Sequence, residues 1–132
     1  MIPTESRIYF AVKTEDTLIT KEVFDSHFKI TPDEFEYLFS RGDVPKCTCW
    51  QIGEECSGAP DVTLMINSVV DRIKDIKNKL VSFKEKYPDV VYSLNIVLCH
   101  GENAEGFFLD PEILLVLGEI GAGVDVDQYN YS

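Results

Sequence analysis

Four cysteines and one histidine are the first residues in this sequence whose types could do chemistry. Cys47 and Cys49 are one residue apart, and Cys56, Cys99 and His100 follow further along the chain. Structural zinc needs four ligands in a tetrahedron, usually supplied as pairs two to four residues apart on a turn. Cys47 and Cys49 instead lie in a predicted strand, so we expect free thiols. Adjacent strand residues point to opposite faces, which also argues against Cys99 and His100 as a nucleophile and base pair.

Other polar residues give equally weak signals for a site. His27 lies beside two phenylalanines on a short predicted helix, where a packed histidine at the edge of the core is expected. Asp125 and Asp127 share a strand face and could hold a cation with Asn130, but calcium needs five or six oxygens in a tight loop. The glycine-rich run 118–123 follows a helix and does not open one, so it suits capping better than phosphate binding. The sequence therefore predicts no catalytic residue, metal or cofactor.

The net charge of −11 is unevenly distributed along the chain. Lys86 is the last basic residue, and residues 87–132 carry eight carboxylates, so the C-terminal third supplies −8 of the −11. Nucleic-acid binding is disfavoured, because phosphate contacts require clustered cations. A cationic protein partner is favoured, although plain solubility would explain the same charge. The predicted contact residues for such a partner are Glu102, Glu105, Glu119, Asp125 and Asp127.

The length of 132 residues predicts a single domain over residues 1–132. No apolar run approaches the roughly 20 residues that a membrane span needs. Residues 1–7 lack the basic and apolar regions of a signal peptide. We therefore expect a cytoplasmic protein with reduced thiols and no membrane segment.

The longest regular pattern in the sequence lies between Asp61 and Tyr87. Apolar residues recur there every three or four positions, which is the spacing of one helix face. Asp61 suits the first turn and Pro88 ends the run. The pattern predicts one helix of roughly 40 Å packed on a sheet, and the seam of a coiled-coil dimer has the same spacing. The apolar stripe consists of Val62, Ile66, Val69, Ile73, Ile76, Leu80, Phe83 and Tyr87.

The flanking segments alternate between apolar and polar residues, as half-buried strands do. In the first of them Ile8, Phe10 and Val12 face one way, and in the third Tyr92, Leu94, Ile96 and Leu98 form a continuous apolar face. A loop is predicted from Gly53 to Pro60. The predicted strands are Arg7–Lys13, Cys47–Ile52, Val90–Cys99 and Val124–Tyr131.

Two shorter helices are predicted from their end signals. Thr20 can cap a helix over Lys21–Phe28. Asp110 caps a second helix, with Pro111 in its first position, and Gly121 closes it in a left-handed conformation. The apolar run within this helix, residues 113–117, surrounds its axis and predicts burial on most sides.

The segment Ile30–Phe39 carries two conflicting patterns. Thr31-Pro32-Asp33-Glu34 reads as a capping box with proline at the first helical position, which favours a helix. Phe35, Tyr37 and Phe39 fit the two-residue period of a strand. Both conformations therefore stay open here. The next four residues, 40–43, form a predicted turn that contains Arg-Gly-Asp, a tripeptide too short to indicate adhesion.

The C-terminal segments resemble a catalogued family. Gly106–Leu114 and Gly121–Tyr129 are similar to the ending of the bacterial family DUF4279, a domain of unknown function. Arg41, Gly42 and Asp43 followed by Trp50 resemble its central turn and strand. The resemblance spans nearly the whole chain, favours an extended segment before this turn, and implies no enzyme activity. It implies similarity to small acidic domains that accompany bacterial toxin genes.

Together, these patterns predict an α+β domain with a mainly antiparallel sheet covered by the long helix. Its core is expected to be a ferredoxin-like βαββαβ unit, extended by a C-terminal helix and strand. The expected function is that of a non-catalytic immunity protein that neutralises a cationic toxin, such as a nuclease. The alternative is a small-molecule binding or enzymatic module with a pocket between sheet and helices.

Overall fold

A computed structural model describes residues 5–16, 19–39, 45–57, 61–100 and 106–130 of the chain. These residues form a five-stranded sheet and four helices. The elements in chain order are β1 (Glu5–Thr14), α1 (Lys21–Phe28), β2 (Glu34–Phe39), β3 (Pro45–Ser57), α2 (Val62–Asp75), α3 (Lys77–Lys86), β4 (Val91–His100), α4 (Pro111–Ile120) and β5 (Ala122–Asn130).

The strands lie in the order β2-β3-β1-β4-β5. The first four strands pair only in the antiparallel direction, and together with α1, α2 and α3 they form a ferredoxin-like βαββαβ core. α4 then connects β4 to β5, which is parallel to it. The predicted α+β fold, including its C-terminal helix and strand, is confirmed.

The core lies between one face of the sheet and the helices. Ile8, Phe10 and Val12 of β1 are fully buried there, as their alternation predicted. Of the eight residues in the predicted stripe, seven are at most 3% exposed, and Tyr87 is half-buried. The stripe packs inside the chain, so it is not the seam of a coiled coil.

The predicted single helix over residues 61–87 is interrupted at Ile76. Asp61 caps its start by accepting a hydrogen bond from Leu64 N–H at 3.1 Å. Ile76 leaves the helical conformation with φ −118° and ψ 17°, although no proline or glycine marks the position. α2 contacts β1, β3 and α4, whereas α3 contacts α1 and α4. The prediction of one continuous helix was wrong, because the half before Ile76 packs on the sheet and the half after it packs on α1, although both contact α4.

Residues 34–39 form an edge strand, so the extended alternative for this segment is the observed one. Asp33 N–H donates to the Gln51 carbonyl at 2.9 Å, and the Asp33 carboxylate accepts from Gly53 N–H at 2.8 Å. The groups that would start a helix therefore bond to β3. Phe35 packs on Phe24 of α1 with ring centroids 6.0 Å apart. The predicted turn 40–43 lies outside the described residues.

β3 is longer than predicted and runs through Gly53 to Ser57, pairing with β1 along its whole second half. The predicted loop Gly53–Pro60 therefore starts too early. Gly53 lies opposite Tyr9, and a Cβ atom there would lie 2.5 Å from the Ile8 carbonyl oxygen. Glycine at this position permits the close approach of β1 and does not mark the end of the strand.

α1 ends where the sequence predicted, but its start differs in detail. Thr20 occupies the capping position, yet its side chain makes no capping hydrogen bond. Its carbonyl oxygen accepts from Val23 N–H at 3.0 Å and from Phe24 N–H at 3.2 Å. Lys29 ends the helix in the left-handed region with φ 58°. The predicted side-chain cap was wrong: the Val23 amide, which a capping hydroxyl could have accepted, bonds to the Thr20 carbonyl instead.

α4 has the predicted ends and a more exposed surface than expected. Asp110 accepts from Ile113 N–H at 2.9 Å, and Gly121 closes the helix with φ 75°. Leu114 is 51% exposed and Leu115 is 61% exposed, so burial on most sides was wrong. Among the described elements α4 contacts α2, α3 and β5, and Leu114 and Leu115 lie outside these contacts on its exposed surface. Within the described part of the chain, no helix combines the length and apolarity of a membrane span.

Candidate partner-binding face

The opposite face of the sheet carries no described helix, and we call it the helix-free face. Because strand residues alternate, it is formed by the odd-numbered residues of β1, β3, β4 and β5. Tyr9 lies opposite Gly53 on one side and Asn95 on the other, and Asn95 lies opposite Asp125. One row of neighbouring positions therefore runs from β3 to the acidic strand β5.

The side chains at the centre of the helix-free face are buried, whereas those on its β5 side are exposed to solvent. Ala11 and Cys49 are at most 1% exposed, and Asn95 is 5% exposed. Asn95 donates to Ser93 Oγ at 2.9 Å, so its amide is held within the face. By contrast, residues 123–129 of β5 are exposed. A partner that binds this face therefore meets β5 first.

A polar cluster around Arg7 lies towards the β2 side of the same face. Arg7 Nη2 donates to Gln51 Oε1 at 2.7 Å and to Glu34 Oε2 at 3.0 Å, and Arg7 Nε lies 3.3 Å from Glu55 Oε1. The guanidinium also stacks 4.2 Å from the centre of the Tyr9 ring. These side chains, with Asp33, Gly53 and Glu54, line a cleft of about 320 Å³.

The electrostatics of this face link Tyr9 to the acidic strand. Burial raises the pKa of Tyr9 above its ordinary value, and the Arg7 cation opposes this shift. Negative charge at Asp127 and Asp125 raises the pKa of Tyr9 further. The two aspartates therefore act on the same surface as the Arg7 cluster, although they belong to the opposite edge.

The predicted contact residues do not form one continuous surface. Asp125 and Asp127 are exposed on the helix-free face of β5, two residues apart. Glu119 belongs to α4 and forms an ion pair with Lys77 of α3, on the helix side of the sheet. Glu102 and Glu105 lie outside the described residues. The structure thus brings two of the five predicted residues together and places Glu119 elsewhere.

The acidic C-terminal third has basic neighbours that its sequence does not contain. Lys74 of α2 bonds to Glu112 at 2.5 Å, and Lys77 pairs with Glu119. The hydrogen bond that Lys74 donates to Glu112 is the main reason that the pKa of Lys74 lies above its ordinary value. The absence of lysine and arginine from residues 87–132 therefore does not leave α4 without basic neighbours, because α2 and α3 supply lysines from an earlier part of the sequence.

The structure places His27 and two of the cysteines in packed or strand positions. His27 is half-buried, with its ring edge against Phe83 and its Nε2 atom 2.9 Å from Ser82 Oγ, which confirms a histidine packed at the core edge. Cys47 and Cys49 are free thiols. Burial raises the pKa of Cys49, although a hydrogen bond from Gln51 opposes this. Within the described ranges, no three His, Cys, Asp or Glu residues are grouped so as to hold a metal.

The Arg7 cluster is the feature of this face that the sequence reasoning missed. Its members come from β1, β2 and β3, and Arg7 and Gln51, for example, are 44 residues apart in the chain. The only local signal was the alternation that put Arg7 and Tyr9 on one face of β1. Pairing with β3 and β2 then placed Gln51 and Glu34 beside them.

Residues 4–131 match the family described as a domain of unknown function, DUF4279. Because the match covers nearly the whole chain, the protein belongs to this family. No curated protein and no solved structure matches the chain.

Proposed function

We propose that this member of the DUF4279 family is a non-catalytic acidic binding protein that blocks a cationic protein. An immunity protein that neutralises a bacterial toxin, such as a nuclease, is the concrete form of this proposal. The observation that carries it is the exposed pair Asp125 and Asp127 on β5, within a third of the chain that contains no lysine or arginine. Neither aspartate has an ion-pair partner among the described residues.

Other carboxylates of the acidic third already have structural roles. Asp110 caps α4, and Glu112 and Glu119 pair with lysines of the neighbouring helices. Apart from the exposed Asp89, the described charge that remains for a partner therefore lies at β5, with Glu102 and Glu105 as further predicted contacts. Exposed charges of this kind mainly accelerate encounter, and salt screens them over roughly 10 Å.

The test is a kinetic binding measurement against the cationic protein encoded beside this gene, at low and high salt. We expect neutralisation of Glu102, Glu105, Asp125 and Asp127 together, to Gln or Asn, to slow association about tenfold at low salt and much less at high salt. A matched control neutralises four exposed acids elsewhere, namely Glu15, Glu22, Asp75 and Glu85. Equal on-rates for the two variants would reject the proposed surface.

A second candidate function is small-molecule binding, with or without catalysis, supported by the cleft beside Arg7. The cleft opens at the surface, whereas the space between the sheet and α2 is filled by side chains such as Phe10 and Ile66. A metabolite that raises the melting temperature of the wild type, but not of an Arg7→Gln variant, would favour this function. A flat response across a broad metabolite library would count against it.

A further inference from the structure

β5 ends the sheet and has a strand neighbour on only one side among the described residues. Its nine residues pair with β4 in continuous register, from Tyr92 with Ala122 to His100 with Asn130. An edge strand presents a row of backbone N–H and C=O groups that can pair with another chain. The outer edge of β5 is thus a long and regular site for such pairing.

The opposite edge of the sheet is less suited to accept a strand. β2 has six residues, and its register with β3 shifts between Leu38 and Phe39. Short length and bulges are devices that protect natural edge strands. β5 is longer, has no register shift, and contains no proline, lysine or arginine. The two edges of the sheet therefore differ in accessibility to an added strand.

The two faces of β5 are chemically different. Val124 and Val126 pair beside the core residues Leu94 and Ile96, so they point to the helix side, and they are 40% and 41% exposed. Asp125 and Asp127 point to the helix-free face. An added strand would therefore meet an apolar surface on one side and a negative surface on the other.

α4 extends the apolar side of this edge. Glu112 and Glu119 point to the lysines of α2 and α3. At about 100° per residue, Leu114 lies on the opposite side of the helix from both. This side faces away from the lysines of α2 and α3, α4 itself contacts the edge strand β5, and Leu114 is 51% exposed.

We infer that the outer edge of β5 accepts an extended segment of a cationic protein as a sixth strand. Apolar residues of that segment lie against Val124, Val126 and Leu114, and alternating Lys or Arg residues lie beside Asp125 and Asp127. Backbone pairing supplies affinity in this mode of recognition, and alternate side chains supply specificity. The inference rests on the proposed function and names how its partner is held.

A second copy of this chain is a poorer occupant of the same edge. Two β5 strands paired antiparallel about Val126 would place Asp125 of each directly opposite Asp127 of the other. Like charges in directly opposed positions destabilise a strand pair. The aspartates therefore disfavour self-association and leave the edge open to a basic segment.

The test uses the full chain and a blocked peptide that alternates valine and lysine over the length of β5. A control peptide has the same composition with all valines before all lysines. We expect the alternating peptide to bind about tenfold more tightly, equivalent to about 1.4 kcal/mol. It should also slow hydrogen exchange at alternate amides of β5, because every second N–H points to the outer edge.

Two double variants test whether peptide binding depends on the acids of β5 or only on the net charge of the protein. Asp125→Asn with Asp127→Asn should weaken binding of the alternating peptide about tenfold at low salt, with circular dichroism unchanged. Asp75→Asn with Glu85→Gln removes the same charge from the helix layer and should leave binding within about twofold. Equal binding of the two peptides, or no change in exchange at β5, would overturn the inference.

The outcome also separates this inference from the proposed function. Binding of the cationic protein without exchange protection in β5 would reject strand addition and keep the function. Peptide binding with protection in β5, but no effect of the acidic residues on any cationic protein, would support the edge site and reject the toxin partner.

Discussion

Arg72 of α2 holds Asp33 at the start of β2, with Arg72 Nη1 3.0 Å from Asp33 Oδ2. The same carboxylate oxygen accepts a hydrogen bond from Gly53 N–H of β3 at 2.8 Å. One side chain thus joins the edge strand, its neighbour and the covering helix. Burial acts to raise the pKa of Asp33, but the Gly53 and Arg72 contacts outweigh it, so the pKa lies below its ordinary value.

Asp33→Ala should lower the free energy of unfolding at neutral pH by about 1 kcal/mol, since the hydrogen bonds lost are charged but half-exposed. A lowered folded pKa stabilises the protein above the unfolded pKa of about 3.9. That contribution is lost as pH falls through the folded pKa, so the difference from wild type should shrink in acid. Urea unfolding from neutral to acid pH measures this, with Asp75→Ala as an exposed control. A difference that stays constant with pH would contradict the assignment.

The buried phenol of Tyr92 makes the stability of the protein depend on pH in the alkaline range. It is 1% exposed and donates a hydrogen bond to the Leu80 carbonyl of α3 at 2.6 Å. Burial raises the pKa of its phenol above the ordinary value. The neutral phenol therefore stabilises the fold fully below the unfolded pKa of about 10, and this contribution is lost as pH rises towards the folded pKa.

Tyr92→Phe should cost about 1 kcal/mol at neutral pH, because one buried hydrogen bond is lost. The variant should also lose less stability than wild type as the pH is raised above about 10. Unfolding titrations at neutral and alkaline pH give both quantities. Tyr129→Phe, at an exposed position on β5, is the control and should match wild type. Parallel alkaline curves for wild type and Tyr92→Phe would show that Tyr92 is not responsible.

Gly53→Ala should destabilise the protein by about 2 kcal/mol, because overpacking forces the backbone to shift. The new Cβ would lie 2.5 Å from the Ile8 carbonyl oxygen and 2.6 Å from Tyr9 Cβ. Gly123→Ala is the matched control, since a Cβ there has no atom within 4 Å. It should be neutral or slightly stabilising, because alanine restricts the unfolded chain. Denaturant midpoints for the two variants check the comparison, and equal midpoints would refute it.

Ile73→Asp should unfold the domain, because Ile73 is fully buried and the charge would have no partner there. Leu64→Asp on the same helix is the control, since Leu64 is 63% exposed. Far-UV circular dichroism and light scattering distinguish unfolding from a change of oligomer. A folded Ile73→Asp monomer would mean that the apolar stripe is not the core.

Local sequence signals determined those ends and faces of elements that depend only on residues within the element itself. Asp110, Pro111 and Gly121 set both ends of α4, and the period of the stripe set which face of α2 and α3 is buried. Alternation assigned the faces of β1 and β4. These features depend on backbone geometry within one segment, so the sequence is sufficient to predict them.

Tertiary structure decided the features that depend on contacts between distant segments. Asp33 has the chemistry of a helix start, yet bonds to Gly53 and Arg72 extend the segment into a strand. Glu119 belongs to an acidic stretch, yet Lys77 neutralises it across the α3–α4 contact. Asp125 and Asp127 stay exposed because β5 is the last strand of the sheet. Strand order and helix contacts arise only when the chain packs, and they determine which charges a partner can reach.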